Sequence, residues 1–509
     1  MLAKVSSAGV LGVDAYPIGI EVDVSKGLPQ ISVVGLPDAA VKESKDRVRA
    51  AIKNSGFKFP IKRITINLAP ADIKKEGSAY DLPIALGIIA ASGQISLPYL
   101  ADFVILGELS LDGAVKPVKG MLPMILEISK HRRKFIVPEE NATEAAMVSN
   151  ASVYPVKSLT ETIDFLQDCT KLSAQKGNFK AEFKKIADYE LDMHEVKGQS
   201  FARRAIEVAV SGNHNILLIG PPGSGKTMLA KRIPTILPKM SLEEALETTK
   251  IYSISGLLLD KNSFIARRPF RSPHHTTSDV ALVGGGSIPR PGEISLAHNG
   301  ILFLDELPEF NRNVLESLRQ PLEEGKVIVS RAAKTVTFPS RFMLVCAMNP
   351  CPCGYFTHPT KVCRCTPCRI EQYRSKISGP LLDRIDIHIE VPPINYKDLM
   401  AEPKSENSRQ IRKRVEQAKK IQLKRLKKSR IFANAHMNPA QIKKHCFLNE
   451  DCKKLLKMAV DELGLSARAY DKILKVARTV ADMAKSDTIC AEHIAEAVQY
   501  RSLDRNVIG

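Results

Sequence analysis

The run Gly220-Pro221-Pro222-Gly223-Ser224-Gly225-Lys226-Thr227 packs glycines, a lysine and a hydroxyl into eight residues. It follows the apolar stretch Asn215–Ile219 and precedes the helical pattern Met228–Ile233. Such a loop turns backbone N–H groups toward phosphate oxygens, and the helix N-terminus behind it adds its dipole. Lys226 is then placed to reach the β- and γ-phosphates of ATP, and Thr227 to hold Mg²⁺. About 80 residues further on, Asp305 and Glu306 close the apolar run Ile301–Leu304. Asp305 is expected to hold Mg²⁺ directly or through water, and Glu306 to polarise the attacking water. Hydrolysis needs both, because phosphoryl transfer rests on positioning and charge neutralisation. Asn349 ends a third apolar run, where a polar strand tip can orient that water.

A second cluster is sulfur. Of ten cysteines, five crowd into Cys351, Cys353, Cys363, Cys365 and Cys368. The two C-x-C pairs, with nine residues between them, can converge on one structural Zn²⁺. Cys368 is additional, and His358 is a possible substitute ligand. Clustering in a long chain points to a metal and to the reducing cytoplasm rather than to a secreted disulfide framework.

The third chemistry is charge. The 74 Lys and Arg against 55 Asp and Glu give +19, which favours a polyanionic partner such as nucleic acid. Arg409 to Arg430 holds eleven basic residues against one acid, Glu416, and such a stretch repels itself unless a polyanion screens it. Lys326 to Ser340 reads as a hairpin carrying Arg331 and Lys334 at its turn. Few aromatics interleave these stretches, so backbone tracking without sequence readout is expected.

These groups need several domains, since 509 residues exceed one core. The expected fold is a multidomain α/β chain. Residues 1–168 mix strand alternation (Ile18 to Val24, Ile31 to Val34, Ile64 to Leu68) with helical stretches, an α+β domain. A lysine-rich linker over 169–187 leads to an α/β core with a parallel sheet over 188–395, carrying the cysteine-rich insertion 351–368. A basic helical connection (396–435) and a helical C-terminal domain (436–509) follow. No apolar run is long enough to span a membrane, and the N-terminus lacks the pattern of a signal peptide.

Three long segments identify a family. RSPHHTTSDVALVGGGSIPRPGEISLAHNGILFLDELPEF, CAMNPCPCG and SGPLLDRIDIHIEV resemble the YifB/ComM family of magnesium-chelatase-like AAA+ proteins over essentially the whole chain. The resemblance implies a homo-hexameric ATPase with a P-loop AAA+ core and a C-terminal helical lid. It also implies a DNA helicase that drives branch migration on single-stranded and branched DNA during natural transformation. By the same resemblance Asn349 is the first sensor, Arg384 the arginine finger acting on a neighbouring subunit, and Arg468 the second sensor. Arg331 and Lys334 lie on a pore hairpin, and Arg290 on the glycine-rich helix-2 insertion loop. The first domain resembles the proteolytic domain of Lon, but Ala79 and Leu122 stand where its Ser–Lys dyad belongs. The resemblance therefore implies no protease. A second reading is a chelatase-type motor that remodels a protein partner, although such motor subunits usually lack the Lon-like domain.

Overall fold

A computed structural model describes residues 1–132, 134–175, 177, 189–258, 264–286, 289–331, 334–356, 358–393, 406–429, 431–463 and 466–501. They form two compact units that do not follow chain order. The first takes Met1–Ile186 together with Leu242–Ala266 and Ser330–Thr337; the second takes Ala187–Ser241, Arg267–Val329 and Phe338–Gly509. Most of the expected linker lies outside the described residues.

In the first unit, seven strands make one mixed sheet: β1 (Leu2–Leu11), β2 (Asp14–Ser25), β3 (Gln30–Val34), β4 (Arg63–Ala69), β5 (Val104–Ile105), β6 (Lys134–Pro138) and β7 (Ser152–Val156), in the order β3-β4-β2-β1-β5-β6-β7. Alternation sets the faces: Ile18, Ile20, Val22 and Val24 of β2 point inward with Ile64, Ile66 and Leu68 of β4. Helix Asp81–Ser92 is apolar nearly all round and is buried over ten of its twelve residues. The helix Ala39–Asn54 starts at an Asp38 cap, whose carboxylate accepts from the Val41 N–H.

Helix Leu242–Ser255 also belongs to this unit. Its Ser253 hydroxyl donates to the buried Glu144 carboxylate, and the Ser253 carbonyl accepts from the Gly120 N–H at 3.1 Å. Glu144 accepts as well from the Leu122 N–H at 2.9 Å and from Asn141 Nδ2 at 3.3 Å. Burial raises its pKa above the ordinary 4.5 in spite of these donors. Val336, from the basic hairpin, lies against Gly12 in the β1–β2 turn, where a Cβ would stand 2.5 Å from its Cγ1.

The second unit is built on five parallel strands: β8 (Ile216–Ile219), β9 (Phe270–Arg271), β10 (Ile301–Leu304), β11 (Met343–Met348) and β12 (Ile387–Glu390), ordered β9-β10-β11-β8-β12. Every residue of β8, β10 and β11 is buried, as a parallel sheet covered on both faces requires. Residues with chemistry must therefore sit beyond the strand ends. Helices Ser200–Gly212, Lys226–Ile236 and Ser408–Leu426 share one apolar core with the sheet.

The C-terminal part is helical: Pro439–His445, Glu450–Leu463, Ala467–Met483 and Ala491–Gln499. Ser466 caps the long helix, accepting from the Ala469 N–H at 3.2 Å. Among the described residues, no helix is long and apolar enough to cross a membrane.

Candidate nucleotide site and the clusters around it

Parallel strands bring their C-terminal ends to one edge, and ligands bind outside that edge where the strand order reverses. Here Gly220 follows β8, Asp305 follows β10 and Asn349 follows β11. The register sets Ile219 beside Met348 and Leu304 beside Cys346, so the three following residues emerge close together. Asp305 and Asn349 line a cleft of about 350 Å³ with Pro222, Gly223, Gly225, Lys226, Thr227, Met228, Glu306 and Met348.

Two glycines shape the loop. At Gly220 a Cβ would stand 2.3 Å from the Val391 carbonyl oxygen, and Gly225 takes φ +83° to start the following helix. Ser224 is buried between them.

Lys226 folds back inside the loop. Its ammonium donates to the carbonyls of Gly220 (2.7 Å) and Pro221 (2.9 Å) and to Asn349 Oδ1 (3.2 Å). Burial lowers its pKa, opposed by the charges of Asp305 and Glu306. A buried ammonium among neutral oxygens suits an anion. The Thr227 hydroxyl donates to Asp305 Oδ2 at 2.7 Å, so hydroxyl and carboxylate meet at one point, the oxygen pair a hard cation such as Mg²⁺ would take. The other Asp305 oxygen accepts from the Glu306 N–H at 3.0 Å. Glu306 takes the left-handed conformation (φ 54°), and its carboxylate, 57% exposed, lies 3.6 Å from His275 Nδ1. A left-handed backbone is strained for a residue other than glycine, and Glu306 is among the residues lining the cleft.

Arg384 and Arg468 do not line this cleft. Arg384 is held by Glu323 of the same chain and is largely covered. Arg468, 70% exposed, lies 3.5 Å from Asp383, the residue beside Arg384. The two arginines thus share one neighbourhood. Beneath them is a buried ion pair: Asp386 accepts from Lys472 at 3.0 Å, from His214 Nδ1 at 3.3 Å and from the Asn215 N–H at 3.2 Å. Burial alone would raise its pKa, but Lys472 and His214 hold it well below the usual carboxylate range.

Sequence reasoning missed two residues. Gln199 (φ 53°) donates its side-chain amide to the Ser224 carbonyl, steadying the phosphate loop from behind. No pattern marks it beyond a polar residue ahead of a helix. His275, beside Glu306, stands in a His-His pair that carried no assigned role.

The sulfurs of Cys351, Cys353, Cys363 and Cys365 all lie within 4.8 Å of one another, three of the separations being 3.4, 3.6 and 3.7 Å. A disulfide needs about 2.05 Å. Four thiolates around Zn²⁺ at about 2.3 Å stand about 3.8 Å apart, so the donor set fits that ion. Neither Cys368 nor His358 joins them. Cys368 is exposed on helix Pro367–Arg374, and His358 Nδ1 accepts from the backbone of Thr360 and Lys361.

Arg290 is exposed in a two-residue pairing of Arg290–Pro291 with Gly284–Gly285. The hairpin forms as strands Lys326–Arg331 and Lys334–Pro339, while the side chains of Arg331 and Lys334 lie outside the described residues. The basic helix spans Ser408–Leu426, and part of its charge is satisfied internally. Arg414 pairs with Glu207 and Glu406, Arg425 with Asp482, and Arg412 with the Thr235 carbonyl. Arg409, Lys413, Lys420 and Lys424 remain exposed.

Residues 192–399 match the family described as magnesium chelatase, subunit ChlI; 20–141 match subunit ChlI of Mg-chelatase; 405–501 match its C-terminal region. Competence protein ComM of Haemophilus influenzae is 46% identical over 506 residues, 99% of this chain and 98% of the relative. The chain belongs to the YifB/ComM family of magnesium-chelatase-like AAA+ proteins. YifB of Salmonella typhimurium, an uncharacterized protein, is 45% identical over 509 residues, 100% of this chain and 98% of its own. A Lon protease of Trichlorobacter lovleyi is 25% identical over 180 residues, 33% of this chain and 22% of that protein. Family membership accounts for both units, a Lon-like α+β fold and a parallel-sheet AAA+ core with a helical C-terminal region. In this YifB/ComM chain Ala79 is half-buried against the core and Leu122 is fully buried. The neighbouring Ser78 hydroxyl donates to Glu108.

Proposed function

We propose that this protein is a hexameric ATPase that translocates on single-stranded and branched DNA and promotes branch migration, in the service of natural transformation. The observation that carries the reading is the convergence of Lys226, Thr227, Asp305, Glu306 and Asn349 on one cleft at the carboxyl edge of the parallel sheet. Lys226 and the loop N–H groups would bind the triphosphate. Thr227 and Asp305 would hold Mg²⁺, which neutralises phosphate charge when bound. Glu306, turned out of line by its backbone, orients water and takes its proton, and Asn349 fixes the water's approach. Arg384 and Arg468, neither of which lines the cleft of its own chain, suit a role at a neighbouring subunit's site. That arrangement makes hydrolysis depend on assembly. Arg290, Arg331 and Lys334 are the residues we assign to DNA phosphates.

The DNA assignment draws on the relative named a competence protein and on the +19 charge. With Ala79 and Leu122 supplying neither nucleophile nor base, we read the first unit as non-proteolytic. The reduced thiols suit the cytoplasm, with Zn²⁺ as a structural ion. A second reading, a motor that remodels a protein partner, is favoured by the chelatase-subunit match over 192–399. Strand exchange on a four-way junction separates the two. Wild type should extend heteroduplex with ATP, whereas Glu306→Gln should bind the junction and not move it. An ATPase rate indifferent to forked DNA, with no DNA retardation at low salt, would favour the protein partner.

A further inference from the structure

We infer that the four-thiol cluster is a Zn²⁺ site built to brace the phosphate loop, so that metal occupancy sets nucleotide affinity. This inference rests on reading Gly220–Thr227 as the nucleotide site. Cys351 follows Asn349 by two residues at the end of β11, and Asn349 Oδ1 accepts from Lys226. The first thiol ligand and the lysine's side-chain partner are therefore fixed to the same strand tip. Cys351 is wholly buried, and its sulfur accepts from the Phe356 N–H at 3.3 Å.

Between the two cysteine pairs the chain turns back onto the loop. Gly354 takes the left-handed conformation (φ +82°), and a Cβ there would stand 2.6 Å from Pro222 Cδ and 3.1 Å from its Cγ. Those atoms belong to a rigid ring tied to the backbone, so nothing larger than hydrogen fits between the cysteine loop and the phosphate loop. On its other side the cysteine loop is held by Arg374, which donates to the Pro350 carbonyl at 3.3 Å and stacks on Phe356 with 5.4 Å to the ring centre. Closing the turn is the work of the metal. Four sulfurs this close repel as thiolates, and a Zn²⁺ at their centre removes the repulsion and fixes Gly354 against Pro222. Coupling of this kind is reciprocal: bound nucleotide must also raise the affinity for the metal.

The test uses the full-length protein, metal analysis by mass spectrometry and titration with a fluorescent ATP analogue. Wild type should carry one Zn²⁺ per chain and, at equilibrium, yield less of it to a chelating dye when ADP is bound. Cys363→Ser should lose the metal. Gly354→Ala should keep one Zn²⁺ but bind nucleotide about 10-fold more weakly, a typical coupling between linked sites. Since Cys363→Ser risks misfolding, Gly354→Ala carries the decision. Wild type without zinc overturns the inference, as does a Gly354→Ala variant whose nucleotide Kd stays within about twofold of wild type. Zinc-replete wild type that binds no nucleotide at all would instead overturn the reading of the phosphate loop.

Discussion

Replacing Lys472 by methionine should destabilise the second unit sharply, and replacing its partner as well should restore much of the loss. Lys472 projects from helix Ala467–Met483 to a carboxylate at the start of β12, with Nζ 3.0 Å from Asp386 Oδ1. Both side chains are nearly closed to water, at 14% and 10% exposure. Breaking one half of such a pair strands a buried charge and costs about 3–5 kcal/mol, whereas replacing both halves with uncharged residues is often close to neutral. His214 and the Asn215 N–H, at 3.3 and 3.2 Å, would still solvate a lone Asp386 in part, so about 3 kcal/mol is the sounder expectation. At roughly 2–4 °C per kcal/mol for a unit of this size, that is a drop of about 6–12 °C. Calorimetry of wild type, Lys472→Met, Asp386→Asn and the double variant measures it. The double variant should melt above Lys472→Met. A Lys472→Met variant melting within about 2 °C of wild type, or a double variant showing only the sum of the two losses, would refute the reasoning.

Three further outcomes are expected. Arg384→Ala should bind nucleotide normally yet hydrolyse it about 10³-fold more slowly; mixing it with Lys226→Ala chains, each inactive alone, should recover turnover, and failure to recover any would place Arg384 outside a shared site. The depressed pKa of Asp386 means that its stabilisation is present above its unfolded value near 4 and is lost as pH falls. The difference in melting temperature between wild type and Asp386→Asn should therefore shrink steadily below about pH 4, and a constant difference would exclude the linkage. Glu144 runs the opposite way: its raised pKa makes the folded state bind the proton more tightly, so stability falls as pH rises from 4.5 through the folded value. Glu144→Gln should flatten that slope in a melting-temperature series.

Much of this site was legible in the sequence because it is local. Gly220 to Thr227 and Asp305-Glu306 carry their chemistry in consecutive residues, and the buried strands before them announce themselves as apolar runs. A cap such as Ser466 is of a legible kind, because a serine ahead of a helical pattern has one evident use. Gln199 was not, since its contact with Ser224 depends on a left-handed backbone that no residue type advertises. The basic helix over-promised: charge counting could not see Glu207, Glu406 and Asp482 waiting for Arg414 and Arg425. Nor could reading in chain order reveal that Leu242–Ala266 belongs with residues far upstream. The helix pattern was there, but the partner of its buried face was not.

That helix has a consequence for anyone trimming the protein. Ala245, Thr248, Thr249, Ile251 and Ser253 are buried, and Ser253 meets Glu144 and Gly120. Cutting the chain in the lysine-rich linker would leave this face, part of the ATPase stretch by sequence, without the Glu144 and Gly120 partners that cover Ser253. The Lon-like unit and the middle of the chain thus cannot be parted by a single cut: a truncation that removes the first 186 residues takes away the partners of Ser253 as well.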